Sequence, residues 1–176
     1  VFPPLDPTAP RDGVFQPLPF PPSPHQPEPP PLELVPLRAA GPARDISLGW
    51  TNPPVAVAPV DADFAAAAAW RIVLPAGLDV SAAPLLRLRY TGDVARVRVG
   101  TRLVLDDFFN GNALELDLVR HAAALAAGDA LTVEILPLRA DAPILLPSGA
   151  RPAAGSTPVA RLDAVELVAR HHAIFP

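Results

Sequence analysis

Fourteen of the chain's twenty-six prolines fall within residues 1–36, among them the pair Pro21-Pro22 and the run Pro29-Pro30-Pro31. Each proline removes an amide donor and pushes its predecessor toward extended backbone, so this stretch can be neither helix nor central strand. Polyproline-II-like or irregular chain is expected over residues 1–36. The stretch also carries Phe2, Leu5, Val14, Phe15, Leu18, Phe20, Leu32, Leu34 and Val35, more apolar side chains than a solvated linker needs. That predicts an arm, residues 1–54, packed on a folded body, residues 55–176. A PxxP ligand for an SH3-like groove is the competing reading, weakened because no arginine or lysine flanks the prolines between 21 and 31.

Beyond the arm the pattern changes to short runs of apolar and β-branched residues separated by Gly, Asp, Asn and Pro, which predicts an all-β antiparallel sandwich. Strands are expected at 55–60, 70–74, 85–90, 94–99, 102–105, 114–118, 130–138 and 162–174. Alternation is clearest in Leu86-Arg87-Leu88-Arg89-Tyr90 and Val94-Ala95-Arg96-Val97-Arg98-Val99, where Arg87, Arg89, Arg96 and Arg98 are expected on a wet side and Leu/Val in the core. These two runs are expected to pair as a hairpin across Thr91-Gly92-Asp93, with a second tight turn at Gly100-Thr101. Residues 117–130 read as a crossover with a helical turn ended by Gly128, an arrangement typical of jelly rolls. Alanines 65 to 69 are too short a run for a helix and are expected to form a loop leading into the strand that holds Trp70.

A length of 176 residues suits roughly one domain of about 100 to 200 residues. With 50% apolar residues, 18% charged residues and a net charge of -4, neither a disordered polyampholyte nor a phosphate-backbone binder fits the whole chain. All fourteen basic residues are arginine. There is no cysteine, which removes disulfides, thiolate zinc sites and cysteine nucleophiles and leaves cytosolic and exported homes both open. No apolar run approaches the roughly 18 residues of a membrane-spanning helix. The lack of any methionine predicts a processed chain or a piece of a longer protein.

The densest cluster of functional atom types is Asp106-Asp107-Phe108-Phe109-Asn110-Gly111-Asn112, where a strand runs into a loop. Sugar binding requires an aromatic face for the apolar side of a pyranose and planar amides or carboxylates for its hydroxyls. Trp50, Tyr90, Asp107, Phe109, Asn110 and Asn112 are the candidates, with Trp50, between Gly49 and Thr51, expected to be exposed and Trp70 to pack in the core. Asp106 and Asp107 offer oxygens to a hard cation, but neighbours on a strand point to opposite faces and the spacing is not that of an EF-hand. A simpler reading is that these residues close a turn while Phe108 and Phe109 pack. No serine stands in a G-x-S-x-G setting, and His25, His121, His171 and His172 show no ligand spacing. No cofactor is implied.

Several segments taken together resemble a known family. Ala68-Ala69-Trp70-Arg71-Ile72, Tyr90-Thr91-Gly92-Asp93-Val94-Ala95, Asp106-Asp107-Phe108-Phe109-Asn110-Gly111, Val133-Glu134-Ile135-Leu136-Pro137-Leu138 and Ala142-Pro143-Ile144-Leu145-Leu146 are similar to the C-terminal β-sandwich of bacterial β-galactosidases of glycoside hydrolase family 35, over about residues 55 to 146. Phe109 stands where that family tends to have tyrosine, and Asn112-Ala113-Leu114 replaces its usual Pro-Trp pair. The resemblance implies a non-catalytic, galactose-binding-like jelly roll that packs on a (β/α)8 barrel and helps a galactose-containing glycan reach it. Such a barrel needs about 250 residues of its own. Two other readings stay open at this point: an independent carbohydrate-binding module, and a scaffold whose proline-rich arm recruits a partner.

Overall fold

The computed structural model describes residues 32–80, 85–147 and 149–168. Eight strands are present among them: β1 Glu33–Arg38, β2 Ala68–Val73, β3 Leu85–Thr91, β4 Val94–Val99, β5 Arg102–Phe108, β6 Leu114–Asp117, β7 Leu131–Ile135 and β8 Arg161–Val168. They form two sheets in which every pairing is antiparallel, one in the order β1-β2-β7-β4-β5 and the other in the order β6-β3-β8. Only the β1–β2 and β4–β5 connections stay within a sheet; the others cross from one layer to the other.

Period-two alternation builds the core. Ile72, Ala95, Val97, Val99, Leu131, Val133 and Ile135 project from the larger sheet onto Leu86, Leu88, Tyr90, Leu114, Leu116 and Leu167 of the smaller one, all within one buried cluster. Strand β3 is paired on both sides, and its Leu86 and Leu88 are fully buried. Burying one such leucine stabilises the fold by about 1.5 to 3 kcal/mol. A one-residue slip of β3 would exchange these leucines for Arg87 and Arg89, so the register is strongly fixed.

The connection from β6 to β7 carries a 3-10 turn, Leu118–His121, and a short helix α1, Ala122–Ala126. The Asp117 carboxylate accepts from Val119 N at 3.1 Å to start it, and Gly128 at φ +94° ends it before β7. Trp70 is half-buried and packs against the core, whereas Trp50 is fully exposed. The β4–β5 hairpin turns at Gly100, φ +58°, with Val99 opposite Arg102.

The structure corrects several expectations. Residues 33–38 of the arm are strand β1, not polyproline-II-like or irregular chain; β1 is an edge strand paired only with β2, a place where Pro36 is tolerated despite its missing donor. Residues 55–60 form no strand. Ala56 makes one isolated bridge to Leu48, and the prolines at 53, 54 and 59 leave too few amide donors for a ladder. Residues 65–69 are not one loop: a 3-10 turn spans Asp61–Ala66 and β2 starts at Ala68. Strand β7 ends at Ile135, short of 138, and β5 continues to Phe108.

The expected hairpin of 85–90 with 94–99 is absent, because β3 and β4 lie in different sheets. Gly92-Asp93 is a corner that carries the chain between layers. Asp93 N donates to Leu136 O at 2.8 Å, and Asp93 O accepts from Phe109 N at 3.0 Å. A Cβ at Gly92 would overlap Ile135 Cγ2 and stand 2.8 Å from Leu136 O, so the corner needs glycine for close approach.

Arg96 is not on a wet side either; it is 8% exposed. The outer face of the larger sheet is roofed by the 3-10 turn Asp61–Ala66, whose Phe64 packs with Ala67, Val94 and Leu136 in a second cluster. The Arg96 guanidinium lies 3.7 Å from the Phe64 ring centroid and donates to Asp61 Oδ1 at 2.6 Å. Nearby, Arg38 donates to Ala67 O and Phe64 O at 2.7 and 2.8 Å, pinning the roof to β1.

Candidate functional site

A cleft of about 490 Å3 opens at one end of the two layers, where β3 leaves the smaller sheet and the loop after β5 returns to it. Its lining joins Arg89, Tyr90 and Thr91 of β3 and Asp163 of β8 to the loop residues Phe109, Asn110, Gly111 and Asn112. Pro147, Gly149 and Ala150 close the far wall. Arg151 holds that wall by donating to three main-chain oxygens, of Ala140, Ala142 and Ile144.

Asp107 and Tyr90 meet across the two layers. Both project inward, and the Tyr90 hydroxyl donates to Asp107 Oδ2 at 2.9 Å and lies 3.0 Å from Asp107 O. Burial, and then the neighbouring Asp107 carboxylate, hold the Tyr90 hydroxyl far above its ordinary pKa, so it is a fixed donor at any physiological pH. The Tyr90 and Phe109 rings pack at a tilt of 60° with centroids 5.3 Å apart, and each residue is under 10% exposed. Their faces are used in packing, which leaves the chemistry of the cleft to the polar groups at its rim.

Those rim groups are Arg89, Thr91, Asn110, Asn112 and Asp163. Thr91 Oγ1 donates to Asp163 Oδ2 at 2.9 Å, and Arg161 pairs with the other oxygen of Asp163. Asn110 Oδ1 accepts from Asn112 N at 2.8 Å, so Asn110 closes the loop on itself. Gly111 at φ +88° seats this turn on the wall, since a Cβ there would stand 2.9 Å from Ala150 Cβ.

Of the residues singled out from sequence, Tyr90, Phe109, Asn110 and Asn112 come together in the cleft, and Asp107 sits behind it through Tyr90. Trp50 does not line it; it stands at the end of a hairpin closed by Gly49 N to Val55 O at 2.7 Å and Val57 N to Ser47 O at 2.9 Å. Asp106 pairs in register with Arg96 on the face of β5 opposite Asp107, so the two carboxylates do not converge. Among the described residues no group of three or more His, Cys, Asp or Glu side chains is placed to hold a metal ion. His121 ends the 3-10 turn after β6, whereas His25, His171 and His172 lie outside the described residues.

Arg89 and Asp163 are cleft residues that sequence reasoning missed, and so is the part of Arg151, which lies outside the lining and braces the segment behind it. Asp163 reaches Thr91 only because β8 pairs with β3, with Tyr90 opposite Leu162 and Thr91 opposite Arg161. Nothing local to residues 161–168 carries that register. In comparison with known proteins, the chain matches no family model, no curated protein and no solved structure.

Proposed function

We propose that this chain is a non-catalytic accessory sandwich of the galactose-binding-like jelly-roll kind, and that it serves a β-galactosidase-like glycoside hydrolase by packing on its catalytic barrel. The repeated crossing of the chain between layers supports the jelly-roll assignment. In this reading residues 1–54 are an arm packed on the body, residues 55–176 are the body, and β1 is the arm's attachment to it.

One observation carries the docking role. Residues 46–60 contain no charged side chain, and Leu48, Trp50, Val55, Val57 and Val60 are all exposed on that hairpin. Its roots are tied to the body by Arg44 with Asp93 at 2.7 Å and by buried Phe64, whose ring centroid lies 3.7 Å from the Arg96 guanidinium. A rigidly rooted apolar projection of this kind belongs against another protein surface. The barrel is its occupant in this proposal, and the polar cleft is the surface left open for a galactose-containing glycan.

Isothermal titration of the purified chain with the isolated barrel of a family 35 β-galactosidase tests the reading. Heat of binding that disappears in Trp50→Ala, with the variant's unfolding midpoint unchanged, is the expected result. A chain that ignores the barrel, or that hydrolyses a galactoside unaided, overturns it. A separate specific observation, the amide-rich rim, favours an independent carbohydrate-binding module as second reading. Heat on adding galactan alone, lost in Asn112→Ala and kept in Trp50→Ala, would select that module instead.

A further inference from the structure

The Asn110-Gly111-Asn112 turn has a chemistry of its own, separate from any ligand of the cleft. All three residues are exposed. Gly111 has no Cβ to shield its backbone nitrogen, and among the described residues nothing accepts its N–H. The Asn112 N–H donates to Asn110 Oδ1 at 2.8 Å. A donor at that oxygen stabilises the negative charge that develops there when a nucleophile adds to the side-chain amide carbon, the service performed by an oxyanion hole.

We propose that Asn110 is a site of spontaneous covalent modification, in which the Gly111 backbone nitrogen attacks the Asn110 amide and water completes its conversion to a carboxylate. Gly111 N loses its proton to water or hydroxide and bonds to Asn110 Cγ. The Cγ–Nδ2 bond breaks and Nδ2 leaves as ammonia after taking up a proton from the medium. The resulting five-membered imide is opened by water at one of its two carbonyl carbons. One opening gives aspartate; the other gives isoaspartate, with the main chain running through the former side chain. One water is consumed, one ammonia is released, and nothing is oxidised or reduced.

The fold gives the reaction a consequence. It puts a new negative charge on the rim of the cleft that already holds Asp163. The isoaspartate product also lengthens the main chain by one carbon where Gly111 is packed against Ala150, so the turn must leave that wall. The rim then carries a second carboxylate in place of one of its two amides, independently of what the cleft binds.

The chain supplies its own controls, because its other two asparagines are followed by Pro53, which has no amide hydrogen, and by Ala113, which has a Cβ. The intact protein is incubated at mildly alkaline pH, with a parallel sample in guanidinium chloride, and each asparagine is followed by peptide mapping that resolves aspartate from isoaspartate. Asn110 is expected to convert about tenfold or more faster than Asn52 and Asn112, equivalent to about 1.4 kcal/mol of barrier. Its rate in the folded protein is expected to be no lower than in guanidinium. Asn110→Gln should abolish the acidic species that accumulates on charge-sensitive chromatography. The proposal is overturned if Asn112 keeps pace with Asn110, or if Asn110 stays intact in the folded protein while the unfolded sample converts.

Discussion

Strands β3 and β4 follow one another with two residues between them, carry the same alternation of aliphatic and arginine residues, and end in different layers. In β3 the outward pair Arg87 and Arg89 meets Glu115 at 2.7 Å and Glu166 at 3.8 Å on an open face. In β4 the outward Arg96 lies beneath Phe64, and Arg98 shares Glu134 with Arg38 at 3.3 and 3.2 Å. Identical patterning therefore fixes which side chains enter the core and leaves open both the partner strand and what covers the other face. Those are decided at the corner, by Gly92 and Asp93, and by a roof drawn from residues far back in the chain.

The corner is the place where the comparison breaks most readily. Asp93 is 2% exposed and its carboxylate is the acceptor for Arg44 Nε at 2.7 Å, while Arg44 also donates to Val57 O at 3.1 Å. Asp93→Ala leaves the Arg44 guanidinium nearly buried without its counter-charge, a loss of about 3 to 5 kcal/mol. Urea unfolding at neutral pH should show this as a lower midpoint with an unchanged slope. Replacing the pair together, Arg44→Met with Asp93→Leu, should recover most of the loss because no charge is then stranded. A fall of less than about 0.5 kcal/mol in Asp93→Ala, the range of ordinary surface substitutions, would show that the ion pair does not hold the two layers' junction.

What could be read from residues alone follows the same division. The inward sets of β3 and β4 were legible because alternation has a period that hydrophobicity reports directly, and Gly100-Thr101 was legible because a tight turn is local. Thr91-Gly92-Asp93 looks like an equally good hairpin turn. What makes it a corner is Gly92 packed against Ile135 and Leu136, more than forty residues later, and no local signal encodes that contact. The cleft divides likewise. Asn110 and Asn112 announce themselves as a polar loop, whereas Arg89 and Asp163 join it through strand pairing. Proline misled in two directions: at Pro36 it masked an edge strand, and around 55–60 the valines suggested a strand that the flanking prolines prevent.

Arg96 and Arg89 sharpen the contrast between the two strands. Arg96→Ala removes a desolvated contact with Phe64, worth about 2 kcal/mol, and opens the seam between roof and sheet. The pair with Asp61 adds little, since the Asp61 side chain is 91% exposed. Arg89→Ala, on the open face, should stay within about 0.5 kcal/mol of the parent. Arg96→Met should lie closer to the parent than Arg96→Ala, because it keeps the packing and removes the buried Nε that has no partner. Equal effects of Arg96→Ala and Arg89→Ala in thermal unfolding would mean that the roof does not load on β4.

A smaller effect than at Arg96 is expected at the bridge between the layers, and it is separable by pH. The chain has one tyrosine, no lysine and no cysteine, so Tyr90 is the only side chain whose ordinary pKa lies between about 8 and 12. Burial and then Asp107 hold its hydroxyl well above that value in the folded protein. The unfolded chain therefore releases this proton near pH 10 while the folded chain keeps it. The contribution of Tyr90 to folding stability is complete below pH 10, and above it stability declines by about 1.4 kcal/mol per pH unit. Tyr90→Phe should cost about 1 kcal/mol at neutral pH, because half-buried Asp107 can replace the lost donor with water. The variant should lack the alkaline decline, so the two stability curves converge above pH 10. Ultraviolet titration of the tyrosinate reads the same residue directly: the folded protein should show no ionisation until it unfolds. A folded-state transition near pH 10 would place the hydroxyl in solvent and remove the inter-sheet bond from the site.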